Sequence, residues 1–231
     1  MTDFSVAVIA GTQIENLIPV WFYIFSGLAY FAAAAISLAV CYFAFRIYRT
    51  TAQKKIMLLS VVFLILGFAF LSLTVSSIYT YFYLPFFKNF LGISLTLFNN
   101  NAFTLYYLLS LFSYILLFFT YFPEDSRKKL YLLYVPLWFS GVDGFHVASV
   151  ILLAFVVYRA VYNFYKSKST NTFLVLLAFS LMTVFHVTML LLPFDVTYFL
   201  VSHSLLVVGF LSLLAMLIRV NKNGRSGKRR K

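Results

Sequence analysis

The chain has little with which to face water. Only 10% of its 231 residues are charged and just six are acidic, whereas a soluble domain carries roughly 25% charged residues. A single cysteine, Cys41, lies in an apolar run, which excludes an intrachain disulfide and leaves the redox compartment unreadable. No acidic residue falls near the middle of any apolar run, which argues against a charge-driven ion or proton pump. No His-xxx-His or Glu-xx-His pair exists, so no helix would present two metal ligands on one face. Asparagine-linked glycosylation sequons are absent. Residues 1–16 lack a basic n-region, so the first apolar run is expected to act as its own insertion signal.

What is abundant is apolar surface, at 63% hydrophobic and 21% aromatic residues. A helix needs about 20 apolar residues to cross a hydrocarbon core of roughly 30 Å. Six runs qualify, 19–45, 56–84, 102–122, 142–165, 173–192 and 196–218, and a seventh, 130–140, is short. Seventeen of the eighteen Lys and Arg residues cluster between these runs, at 46–55, 127–129, 159–168 and 219–231; Lys88 alone stands apart. The net charge of +12 therefore belongs to anionic lipid at span ends rather than to nucleic acid.

Cytoplasmic loops carry the Lys/Arg excess, and only an odd number of crossings puts every cluster on one face. The expectation is an all-α, seven-helix transmembrane bundle in the cell membrane, amino end outside and carboxyl end inside. Residues 1–220 form one domain and 221–231 a flexible basic cytoplasmic tail. The fourth span must cross between Lys129 and about Asp143, roughly 20 Å of helix, with Lys128 and Lys129 snorkelling to the interface and Pro136 kinking it. Asp3, Glu15, Asp143 and Asp195 fall outside, as do Trp21 and Trp138 at the outer interface. Arg46, Arg49 and Arg159 belong to the inner interface, Arg159 by snorkelling. The stretch 85–101 reads as an interfacial helix, with Asn99-Asn100-Asn101 capping the third span.

Shifting the chain by 117 residues overlays Pro19-Val20-Trp21-Phe22 on Pro136-Leu137-Trp138-Phe139 and Tyr48-Arg49-Thr50 on Tyr165-Lys166-Ser167. Spans 1–3 and 5–7 would then be parallel repeats joined by the short fourth, a three-one-three plan. On the first span Ala29, Ala33, Ser37 and Cys41 form a stripe of small residues suited to close helix approach, within the bundle or between copies.

All three histidines lie in the second half, one on each of the last three spans. His186 precedes the Pro193-Phe194-Asp195 turn by seven residues from Pro193, and His203 follows Asp195 by eight, so both rings sit roughly 10–12 Å below it. His146 is shallower, three residues after Asp143. An outward site of His186, His203, His146 and Asp143 could take a ligand or a proton. Its donors would also suit zinc or copper. The same histidines could instead join helices through hydroxyls such as Thr183, Thr188, Ser202 and Ser204. Haem fits poorly, because neighbouring helices are too close for bis-histidine ligation. No cofactor is expected.

Known seven-span families are largely excluded. The last span holds no lysine for a retinal Schiff base, and there is neither the Pro-Gln pair of three-one-three sugar transporters nor the late His-xxx-His of membrane hydrolases. Phe45-Arg46-Ile47-Tyr48-Arg49, Val157-Tyr158-Arg159, Ser202-His203-Ser204 and Val208-Gly209-Phe210 resemble the seven-helix sensory modules that precede histidine kinases and related small archaeal membrane proteins. That resemblance implies a sensor-like membrane module, here with no kinase or response domain after Ile218. The expected role is therefore non-enzymatic, signalling through a separate membrane or cytoplasmic protein partner. A small-solute transporter and a metal-dependent membrane hydrolase stand as the alternatives.

Overall fold

In a hydrocarbon core no water is available to backbone N–H and C=O groups, so an apolar run satisfies them internally by coiling into a helix. The computed structural model describes residues 20–87, 92–121, 142–192 and 197–228, and these form six helices. They are α1 (Val20–Thr51), α2 (Lys54–Phe87), α3 (Gly92–Tyr121), α4 (Val142–Ser167), α5 (Thr170–Leu190) and α6 (Thr197–Lys228). Each is long and apolar enough to cross a membrane, the architecture of a multipass membrane protein. The segment 130–140, Trp138, Lys128, Lys129 and the side chain of Trp21 lie outside the described residues.

The helices outrun the apolar stretches that seed them. Extending a helix by one residue is far easier than starting one, so α1 continues through Arg46 and Arg49 to Thr51, and α6 passes Gly224 to reach Lys228. That continuation replaces a flexible tail from residue 221 with helix to Lys228. Likewise α3 begins at Gly92, so Asn99-Asn100-Asn101 lie within it rather than capping it, with Asn100 and Asn101 exposed.

Two turns end helices abruptly. After α1 the backbone of Ala52 is left-handed (φ 53) and its N–H donates to Tyr48 O at 2.7 Å. After α4, Lys168 does the same (φ 47), donating to Phe164 O at 2.7 Å. A left-handed residue at this position caps the preceding helix. Ser169 then starts α5, its Oγ accepting from Thr172 N–H at 3.2 Å.

Six helix pairs pack closely and close a cycle: α1–α2, α2–α3, α3–α4, α4–α5, α5–α6 and α6–α1. Ring contacts set the directions. Phe145 near the start of α4 meets Tyr106 and Tyr107 at the middle of α3, at 5.6 and 4.5 Å, while Arg159, fourteen residues further along α4, reaches the last residue of α3 (Nε to Tyr121 O, 3.4 Å). So α3 and α4 run parallel. Tyr30 early in α1 meets His203 early in α6 at 4.9 Å, so these two are parallel as well. Consequently α1, α3, α4 and α6 all start at one end, termed the upper end below, and α2 and α5 run back to it.

This direction gathers the basic residues. Arg46, Arg49, Lys54, Lys55, Arg159, Lys166, Lys168, Arg219 and Lys222 all sit toward the lower end, in the lower halves of their helices or at the hairpins. Asp143, in the first turn of α4, stands at the upper end.

Interior packing uses small residues where backbones approach. Ala33, Ala34 and Ser37 are fully buried on α1, and Cys41 Sγ lies 3.3 Å from Ser60 Oγ of α2, so the small-residue stripe serves contacts within the bundle. A methyl group on Gly209 of α6 would come within 3.2 Å of Ala178 O on α5, a backbone atom that cannot swing aside. Large rings then fill the centre, where Phe210 meets Phe63 and Phe70 of α2 at 6.0 and 5.6 Å. Many other aromatics, Tyr158 and Phe82 among them, face outward, as a lipid-facing coat requires.

Candidate functional site

The three histidines do converge, though not in the pairing that equal depth suggests. His146 of α4 and His186 of α5 meet through their Nδ1 atoms at 2.9 Å. The other nitrogen of His186, Nε2, lies 3.0 Å from the hydroxyl of Tyr114 on α3. All three side chains are buried. A continuous chain of polar groups, Tyr114–His186–His146, thus links α3, α5 and α4.

Its protons admit two arrangements. In one, Tyr114 O–H donates to His186 Nε2 and His186 Nδ1–H donates to His146 Nδ1. In the other, His146 Nδ1–H donates to His186 Nδ1 and His186 Nε2–H donates to the Tyr114 oxygen. Each neutral imidazole offers one donor and one acceptor, so exchanging the two arrangements switches both rings to their other tautomers, and it balances only if one proton leaves His146 Nε2 while another is gained at the Tyr114 oxygen.

His203 of α6 stands apart from that pair. Its Nδ1 is 2.8 Å from Phe199 O, one turn earlier on its own helix, and 3.3 Å from Ser202 Oγ. Its Nε2 is buried with no hydrogen-bond partner, the one imidazole nitrogen among the described residues left so. Aromatic rings join the two parts. Phe185 lies 4.8 Å from His186, 5.9 Å from His203 and 6.4 Å from His146. Tyr30 covers His203 from α1.

Asp143 is exposed, and among the described residues no hydrogen bond or ion pair ties it to an imidazole. The hydroxyls expected to bind the histidines mostly turn to their own helices. Thr183 donates to Phe179 O and Ser204 to Leu200 O, at 2.8 and 2.9 Å, and Thr188 bonds Phe185 O at 2.9 Å. Only Ser202 approaches a ring. Among the described residues no group of three or more His, Cys, Asp or Glu is placed to hold a metal.

The polar cluster is confined to the upper part of the bundle, with the Tyr114 hydroxyl as its floor. Below it the interior is Leu117, Leu153, Val156, Phe179, Met182 and Phe210, all buried. Most hydroxyls at that depth are spent on backbone carbonyls: Ser113 on Leu109 O, Thr120 on Leu116 O, Ser212 on Val208 O, each at 2.9 Å, and Ser60 on Cys41 O at 3.1 Å; Ser37 Oγ of α1 is buried without a partner. At the lower end Arg159 is half-buried. It lies against the last carbonyl of α3, with its guanidinium 6.0 Å from the Tyr162 ring centre.

Sequence reasoning passed over Tyr114, Tyr30, Phe145 and Phe185. A signal existed for the first: Tyr106, Ser110 and Tyr114 recur every four residues in the third span, a polar stripe in an apolar helix. No protein-family model, no curated protein and no solved structure matches this chain.

Proposed function

We propose that this protein is a receptor-like membrane module whose ligand site opens at one face and is sealed toward the other. The observation that carries this reading is the one-sidedness of the polar core. A transporter of the three-one-three plan needs polar contacts at every depth, and here the interior beneath Tyr114 is mainly apolar, its buried polar groups being isolated serines rather than a connected chain. A receptor needs only a pocket with a closed floor. No charged group is required within it.

The upper end faces the exterior in this proposal. The basic residues gathered at the lower end mark it as cytoplasmic by the positive-inside rule, in contact with anionic lipid. Parallel α3 and α4 favour a further crossing between Tyr121 and Val142, because the chain must leave α3 at the lower end and start α4 at the upper. That gives seven crossings. The matching left-handed turns at Ala52 and Lys168, 116 positions apart, favour duplicated halves close to the 117-residue shift. Output from the bundle would pass through a protein contact at the cytoplasmic face.

Reconstitution separates receptor from transporter. Vesicles containing the full chain are expected to match empty vesicles in proton leak and in glycerol permeability, read by an internal pH dye and by light scattering. A proton or glycerol flux that His186→Leu removes would establish the transporter instead.

A further inference from the structure

We infer that Nε2 of His203 is the contact atom for a neutral ligand carrying an O–H or N–H donor on an apolar, ring-sized body. This rests on the receptor-like reading and deepens it. The tautomer comes first. Phe199 O can only accept, so at 2.8 Å the proton of His203 belongs on Nδ1. Ser202 does not compete for that role, since its hydroxyl donates to the same carbonyl at 2.8 Å. An uncharged ring so held keeps Nε2 as a bare acceptor at its outer tip, turned away from its own helix.

That acceptor is buried and unpartnered, on a ring only 1% exposed. Buried polar atoms are nearly always bonded, and an exception calls for a missing partner. No nearby imidazole can fill it. His186 is engaged at both nitrogens, by His146 and Tyr114, and His146 directs its Nδ1 to His186. A partner from outside the chain would donate the hydrogen bond, because Nε2 has none to give.

Charge on the ligand is disfavoured. No ion pair or charged side chain meets the ring among the described residues, and an ion here would be buried without a counter-charge. Three aromatic rings set the character of the rest: Phe199, Tyr30 and Phe185, with centres 3.9, 4.9 and 5.9 Å from that of His203. Apolar and aromatic walls with one polar contact describe a site for a phenol-like or similar amphiphile.

The test compares two probes that differ by one donor, 4-ethylphenol and its O-methylated form 4-ethylanisole. Full-length protein in detergent is titrated with each, following the thermal midpoint and the nitrogen resonance of His203 Nε2. The expected result is saturable stabilisation by 4-ethylphenol, at least roughly tenfold weaker binding of 4-ethylanisole, and an Nε2 resonance that moves on saturation. His203→Phe, which keeps an aromatic ring, should bind the two probes equally. If that variant fails to fold, the two probes on the unaltered chain still decide. Equal affinity for both probes, or an Nε2 resonance already hydrogen-bonded through water and unmoved by 4-ethylphenol, would overturn the inference. Neither outcome bears on the sealed lower half, which the vesicle flux reads independently.

Discussion

The Nδ1 atoms of His146 and His186 stand 2.9 Å apart, a separation at which one must donate and the other accept. Two neutral rings on different helices are thereby locked into opposite tautomers at that contact. Because His186 also bonds Tyr114, the tautomer chosen at His146 determines whether the phenol donates or accepts. A change at the upper end of α4 can thus be felt on α3, which ends at the lower face.

Tyr114→Phe removes the last member of the chain and leaves His186 Nε2 buried without its partner. Stability should fall by about 1–3 kcal/mol, measured by reversible unfolding in mixed micelles. Combined with His186→Phe, the same substitution should add almost nothing, within about 0.5 kcal/mol. Strictly additive losses would show that the two side chains do not act as a unit.

The hairpins invite a gain instead. Ala52 and Lys168 hold left-handed backbone, which disfavours any residue with a Cβ by about 1–2 kcal/mol. Glycine relieves that but loses more chain entropy on folding, by roughly 0.5–1 kcal/mol. Ala52→Gly and Lys168→Gly should therefore each be neutral to stabilising by up to about 1.5 kcal/mol, and Ala52→Val clearly destabilising. Loss of stability in both glycine variants would refute the turn geometry.

Parity of the crossings is open to direct assay. Reporters inserted after Gln53, after Lys168 and at the carboxyl end should all register as cytoplasmic, and one after Asp195 as external. Opposite sides for the insertions after Gln53 and Lys168 would mean that the chain between α3 and α4 does not cross.

Charge placement made one shared end of the helices legible. Arg49, Lys54 and Lys166, grouped on one face from the sequence, sit at helix ends on one side of the bundle. The stripe of Ala33 and Ser37 was legible too, because small size at four-residue spacing has few uses other than close approach. Helix limits were less so. Apolar runs stop at the first charge, whereas α1 stops where the backbone turns at Ala52.

The histidine pairing was hidden for another reason. A helix apolar all round carries no stripe to say which face looks inward, and shared depth put His186 with His203. The bundle instead turns His186 toward α3 and α4, where Tyr114 and His146 accept it, and leaves Phe185 between it and His203.

The sealed floor beneath Tyr114 is the claim on which the functional reading stands. Thiol labelling tests it most directly, in a Cys41→Ser background with cysteine placed singly at Asp143 or at Val156 and an impermeant maleimide added to intact cells or to inverted vesicles. Asp143→Cys, exposed at the upper end, should label from the cell exterior alone, and Val156→Cys from neither side. Labelling of Val156→Cys from the cytoplasmic face, or of both positions from both faces, would contradict a site closed on that side.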